Sequence, residues 1–336
     1  MKIQDILKER ILIIDGAMGT MIQRHTLTEA DFRGEKFKDH GYPLKGNNDI
    51  LSITRPDIIQ DIHRQYLDAG ADIVETNTFS GTTIAQADYH LEEFVYELNF
   101  QSAKIAKEVA DEFTKKEPHK PRFVAGAMGP TNKTASLSPE VNNPGFRAVD
   151  FDQLATAFKE QARALIDGGA DMLLLETIID TLNVKAALFA IQELFEESGK
   201  HVPVMVSGTI TDASGHTLSG QTTEAFLISV SHVPLLSVGL NCALGVSALR
   251  PYLQVLSEKA PFFVSAYPNA RLPNEFGQYD QTPDEMAAQV EAYLKEGLIN
   301  LLGGCCGTTP DHIRKIADVA KKYSPRKIRQ VEGVAA

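Results

Sequence analysis

Eight short apolar runs recur along the chain, at residues 11–17, 71–79, 122–130, 170–178, 202–210, 235–243, 262–270 and 298–307. Each opens with near-continuous β-branched or leucine-rich sequence instead of strict alternation, as strands of a parallel sheet buried on both faces do. Helical signals lie between them. Pro56 opens a segment that runs to Gly70. Thr282-Pro283-Asp284-Glu285 combines an N-cap, a proline at the first helical position and a capping-box glutamate, and Thr309-Pro310 opens the last helix in the same way. A phrase of helix end, glycine and buried strand returns at 67–78, 167–177 and 295–304. Eight strand–helix alternations predict an α/β chain folded as a single (β/α)8 TIM-type barrel over residues 1–325, in preference to an open sheet.

Two segments interrupt the rhythm. Residues 21–55 separate the first strand from the first helix and are far longer than an ordinary βα connection, which predicts a lid or rim element. The chain from 324 onward has no periodicity, so residues 326–336 read as a linker-like tail.

Composition narrows the function classes. The 336 residues are 43% hydrophobic and 23% charged, which excludes wholesale disorder. No apolar run approaches the roughly 18 residues of a membrane span. The first fifteen residues carry charges inside their apolar stretch and lack a cleavage site, so no secretory signal is read and a cytoplasmic chain is expected. A net charge of −11 lacks the electrostatic footprint of a nucleic-acid binder and disfavours anionic membranes. Three cysteines, an odd number, argue against a disulfide framework.

In a barrel of this kind chemistry sits at the carboxyl ends of the strands. Those ends carry Asp15, then Glu75-Thr76-Asn77, Glu176, Asn241-Cys242, Tyr267 with Asn269, and Cys305-Cys306. All three cysteines fall there. They fit buried space-filling thiols, a strained vicinal disulfide or a shared metal site. Cys242 and Cys305 are 63 residues apart, too far for a zinc knuckle, but they stand on strands six and eight, whose ends a barrel brings near one another. Cys305 and Cys306 can share a metal only where strand gives way to loop, which Gly303, Gly304 and Gly307 permit. Three thiolates leave one position of a tetrahedral zinc shell open, as in catalytic sites. His312 stands in the first turn of the last helix and reads as a cap. Dinucleotide, P-loop, zincin and nucleophile-elbow motifs are absent. A Schiff-base aldolase is disfavoured because no strand end carries a lysine; Lys133 lies just beyond strand three.

Several motifs resemble the cobalamin-dependent methionine synthases. They are DGAMGT at 15–20, DFRGE at 31–35, KGNND at 45–49, ETNTF at 75–79 and GPTNKTASLSP at 129–139, with GTITDASGHTLSGQTTEAF at 208–226, GLNCALG at 239–245 and GGCCGTTPDHI at 303–313. The resemblance spans the chain to about residue 325 and is to the N-terminal homocysteine-binding module. GLNC and GGCCG are shared with the wider homocysteine methyltransferases, which include betaine- and S-methylmethionine-dependent enzymes.

The resemblance implies a barrel that holds Zn2+ through Cys242, Cys305 and Cys306 and activates L-homocysteine as a thiolate. Asp15 and Glu176 would hold the substrate ammonium. The Gly16-Ala17 backbone and Thr76 would hold its carboxylate, and Asn241 joins them as a substrate contact. The donor would be methylcobalamin bound by another module. The cobalamin signature D-x-H-x-x-G is absent, since Asp61-Ile62-His63 is followed by no glycine in place. The resemblance therefore implies one module of a larger enzyme, working with cobalamin- and folate-binding modules, the tail leading toward the latter. Two alternatives remain. One is a related transferase using betaine or S-methylmethionine; the absence of tryptophan disfavours an aromatic cage for betaine without excluding one built from tyrosine. The other is a homocysteine-binding module without turnover of its own.

Overall fold

The computed structural model describes residues 2–212, 214–272 and 279–328. The eight apolar runs form eight parallel strands: β1 (Leu12–Ile13), β2 (Ile73–Glu75), β3 (Phe123–Met128), β4 (Met172–Ile178), β5 (Val204–Gly208), β6 (Ser237–Gly245), β7 (Phe263–Asn269) and β8 (Leu301–Leu302). Their order in the sheet is β1-β8-β7-β6-β5-β4-β3-β2, and a parallel bridge between Ile14 and Ile73 joins the two ends. The sheet is therefore a (β/α)8 barrel, as predicted. Its outer helices are α1 (Pro56–Asp68), α2 (Val95–Lys116), α3 (Phe151–Asp167), α4 (Thr181–Ser198), α5 (Thr223–Val230), α6 (Val246–Lys259), α7 (Pro283–Lys295) and α8 (Pro310–Ala320). The capping boxes expected at Thr282 and Thr309 are present, and His312 completes the second by bonding Thr309. Among the described residues no helix is long and apolar enough to cross a membrane.

The strands are apolar on both faces because each face has its own core. Leu12, Ile14, Ile73, Met172, Leu174, Met205 and Leu301 fill the barrel interior. Ile3, Ile6 and Leu7 of an N-terminal helix, Ile3–Glu9, join that cluster and plug the amino end. The alternate residues Ile13, Val74, Leu173, Leu175, Val206 and Val264 pack against the helices. Side chains two positions apart share a face. Glu75, following Ile73, and Glu176, following Leu174, are thereby aimed inward at the carboxyl end.

Three parts refine the sequence reading. β1 and β8 are only two residues long, because their runs leave the sheet early to build loops. Residues 21–55, expected as a lid or rim element, form the rim and contribute to the cavity wall. Leu44, Ile50 and Leu51 are fully buried, the Asn47 and Gln86 carboxamides pair, and Asn77 donates to the Asn48 carbonyl at 2.7 Å. At the other end, Arg326 is docked and not part of a free tail. Its guanidinium donates to the carbonyls of Ser257, Ala260 and Phe262 at 2.7–2.9 Å. Residues 329–336 of the expected tail lie outside the described residues.

A side chain reinforces the backbone pairing at the seam between β1 and β2. Asp72, 1% exposed in its side chain, accepts two bonds from Arg10 at 2.8 and 2.9 Å and a third from the Ile13 N–H at 2.9 Å. Replacing Asp72→Ala removes an acceptor of charged hydrogen bonds, a loss of about 1.5–3 kcal/mol. Urea unfolding is expected to show a lower midpoint with an unchanged slope.

Candidate active site

A cavity of about 410 Å3 opens at the carboxyl end of the barrel. Its walls carry Asp15, Glu75 and Glu176 from strand ends, Asp49 from the 21–55 wall, Tyr267 and Tyr279, and the Cys305-Cys306 pair. No lysine, arginine or histidine lines it among the described residues.

The loop after β8 delivers the cysteine pair. Gly304 passes so close to Thr308 that a Cβ would lie 2.5 Å from its methyl group, and its N–H donates to the Asp15 carbonyl at 3.1 Å. Gly307 turns the chain with φ +79°, a conformation glycine adopts without penalty. Thr308 closes the turn by donating from Oγ1 to the Cys305 carbonyl at 2.6 Å, and the same oxygen accepts from the Ala17 N–H at 3.2 Å. The turn therefore ties the cysteines to the Gly16-Ala17 segment.

Cys242 reaches the pair by a different route. Along β6 it alternates with the inward-facing Asn241 and would point away from the cavity. The register of β6 against β7 shifts between Asn241 and Gly245, and Cys242 and Ala243 adopt left-handed φ values of 58° and 47°. Such conformations cost about 1–3 kcal/mol each. The kink redirects the thiol. All three cysteines are free, their Sγ atoms lie within 4.8 Å of one another, and Cys242 and Cys306 are 3.9 Å apart. Two thiolates on a common tetrahedral zinc at 2.3 Å would be about 3.8 Å apart. The triad fits a metal ion, and the donor set is soft. Hydrogen bonding from Cys242 and Cys305, with the Tyr279 hydroxyl, holds the Cys306 thiol well below its ordinary range, while its sulfur neighbours push Cys305 up.

The acidic side is equally unusual. Asp15 is 2% exposed; its Oδ2 accepts from the Glu75 N–H at 3.1 Å, and its buried Oδ1 has no partner. Burial raises its pKa well above the carboxylate range, opposed by that N–H and reinforced by Glu176. Burial, then the charges of Glu176 and Asp15, raises Glu75, whose Oε1 is also unpartnered. Burial and the Cys306 charge push Glu176 up to about 8, and burial pushes Asp49 to about 6. Carboxyls this close resist joint ionisation unless a cation arrives.

The residues singled out in the sequence are not equally placed. Asp15, Gly16, Ala17, Thr76, Glu176, Cys305 and Cys306 line the cavity, with Cys242 beside the pair. The Thr76 hydroxyl is already engaged, accepting from the Ala127 N–H at 2.9 Å and sharing a bond with Thr78. Asn241 is fully buried behind the cysteines and off the cavity wall. Four residues carry more of the site than their sequence suggested: Glu75, noted only as a strand-end residue, and Asp49, Tyr279 and Thr308. Asp49 lay within the KGNND motif, which was its one available signal.

The sequence matches the homocysteine S-methyltransferase family over residues 12–320. Among solved structures, the metallated form of the homocysteine methyltransferase MmuM from Escherichia coli has a TM-score of 0.70 at 22% identity, covering 93% of this chain and 97% of that one. Its apo form has a TM-score of 0.65 at 21% identity, covering 94% and 97%. These likenesses agree in fold with the barrel described above. With the family match extending from β1 to the end of α8, the chain belongs to the homocysteine S-methyltransferase family and is a methyltransferase.

Proposed function

We propose that the protein is the homocysteine-binding module of a cobalamin-dependent methionine synthase. In this reading it methylates the sulfur of L-homocysteine with a methyl group from methylcobalamin held by another module. The observation that carries the homocysteine reading is the pairing, across one cavity that no cationic side chain lines among the described residues, of three thiols with a cluster of carboxyls. A zwitterionic amino acid with a thiol end needs both. The cobalamin branch rests on the DFRGE, KGNND and TNKTASLSP sequences. Three free thiols suit a reducing, cytoplasmic setting.

Glu176 and Asp15 receive the substrate ammonium, whose charge relieves the repulsion among the buried carboxyls. Thr76 and the Gly16-Ala17 backbone face the substrate carboxylate. Cys242, Cys305 and Cys306 would hold zinc beside the substrate sulfur. Zinc there would supply the positive charge that keeps a thiol, ordinarily protonated at neutral pH, in its nucleophilic thiolate form. The side chains at both ends would orient the sulfur toward the methyl carbon. As the new S–C bond forms, the donor–methyl bond breaks and its electron pair stays with the donor, while the thiol proton goes to solvent.

A second reading keeps homocysteine but takes a small cationic donor, S-methylmethionine or betaine, into the same cavity. Tyr267 and Tyr279 on its wall are the aromatic surfaces such a cation would use.

Three outcomes test these assignments. Glu176→Gln and Asp15→Asn are expected to raise the homocysteine Kd about tenfold to hundredfold, the equivalent of about 1.5–3 kcal/mol, by calorimetric titration. Zinc content should stay at one per chain; native affinity in both variants would place the ammonium elsewhere. Cys305→Ala should lose zinc by elemental analysis, since two thiolates do not hold a tetrahedral site unaided. Assayed with homocysteine and free methylcobalamin, the zinc-loaded protein should make methionine slowly, because donor positioning, worth up to about 7–11 kcal/mol, is missing. Faster turnover with S-methylmethionine or betaine would favour the second reading.

A further inference from the structure

We infer that Asn241 is a positioning residue whose buried carboxamide locks the metal-binding end of β6 to the substrate-binding end of β4. The inference rests on the reading of Cys242 and Cys305 as metal ligands and of Glu176 as the ammonium partner. Asn241 is fully buried and touches four parts of the site. Its Oδ1 accepts from the Thr177 N–H at 3.1 Å and from Ser207 Oγ on β5 at 2.7 Å. Its Nδ2 donates to Thr177 Oγ1 at 2.8 Å and approaches Cys305 Sγ at 4.0 Å. Its backbone carbonyl accepts from Thr209 Oγ1 at 3.0 Å.

These bonds converge where both strands lose their regular form. β4 shifts register against β5 between Leu175 and Ile178, and Thr177 takes a left-handed φ of 54°. β6 shifts after Asn241 itself, with Cys242 and Ala243 left-handed. A β-branched threonine does not hold that conformation by preference. Here the Asn241 carboxamide grips both its N–H and its hydroxyl. The grip also sets a direction. Because Nδ2 donates to Thr177 Oγ1, the threonine proton is free to point at Glu176 Oε2, 3.5 Å away. The chain of donors runs from Asn241 through Thr177 to the carboxylate that receives the ammonium. A carboxamide supplies a donor and an acceptor on separate atoms without charge. A carboxylate in its place would draw the Thr177 proton away from Glu176 and set another anion beside Cys305.

The test compares Asn241→Ala, the isosteric Asn241→Asp and the double variant Asn241→Ala/Thr177→Gly. Three readouts serve: the Thr177 backbone angle in metal-free crystals, cobalt(II) affinity from thiolate charge-transfer absorption, and the kcat and KM for homocysteine. In Asn241→Ala, Thr177 should leave the left-handed region, cobalt affinity should fall at least tenfold and KM should rise at least tenfold. Asn241→Asp, which keeps the acceptor and the packing, should show the same rise in KM. Thr177→Gly restores a backbone that turns left-handed without restraint. It should restore the left-handed backbone at 177 while KM and cobalt affinity stay impaired, because the hydroxyl that reaches Glu176 and the carboxamide beside Cys305 are both gone; general loosening of the barrel would leave the backbone angle unrestored. A left-handed Thr177 in Asn241→Ala, or KM and cobalt affinity within twofold of wild type in either single variant, overturns the inference. Wild-type protein that takes up neither cobalt nor homocysteine contradicts the functional reading instead, and the Thr177 angle in Asn241→Ala still decides the clamp.

Discussion

Uncompensated negative charge is the constraint on which the site depends. Asp15, Glu75, Glu176 and Asp49 share one cavity with a thiol cluster, and no cationic side chain lines it among the described residues. Burial raises all four carboxyls, and their mutual repulsion adds to this at Asp15, Glu75 and Glu176. Buried carboxyls of this kind favour the neutral form unless a cation stands beside them. In the function proposed above, a metal ion on the thiols and a substrate ammonium on the carboxyls would satisfy that requirement together.

The barrel makes the arrangement possible by separating stability from chemistry. Two apolar cores, one inside the strands and one under the helices, carry the packing. The carboxyl end is free to hold unpartnered polar atoms such as Asp15 Oδ1 and Glu75 Oε1, left-handed residues at Thr177, Cys242 and Ala243, and register shifts in β4 and β6. Tyr66 shows how closely the two regions adjoin. It is fully buried against α1's neighbours, yet its hydroxyl donates toward the carbonyls of Ala17 and Thr308 at the cavity floor.

The fold was legible in the sequence because strands buried on both faces leave long apolar runs, and eight of them alternate with capped helices. Their ends were not legible, because regular pairing stops where the site begins. β1 and β8 each keep two paired residues, whereas β6 continues to Gly245. The cysteines stood out as the only three in the chain, and all three meet. Asn241, adjacent to Cys242, read as a substrate contact; the period of two along β6 turns its side chain inward, and the kink turns Cys242 alone. Left-handed backbone at Thr177 and Cys242 leaves no mark in residue type, since neither favours it. Asp49 comes from a segment whose packing against the loop after β2 follows from long-range hydrogen bonds that no local pattern encodes.

In the proposed function, the thiol triad and the carboxyl cluster together take up one metal ion and the thiol of one amino acid. X-ray absorption at the zinc edge reads this directly in the zinc-loaded protein. The account predicts three sulfur scatterers at about 2.3 Å without substrate and four with L-homocysteine. A sulfur count that stays the same when homocysteine binds would contradict it.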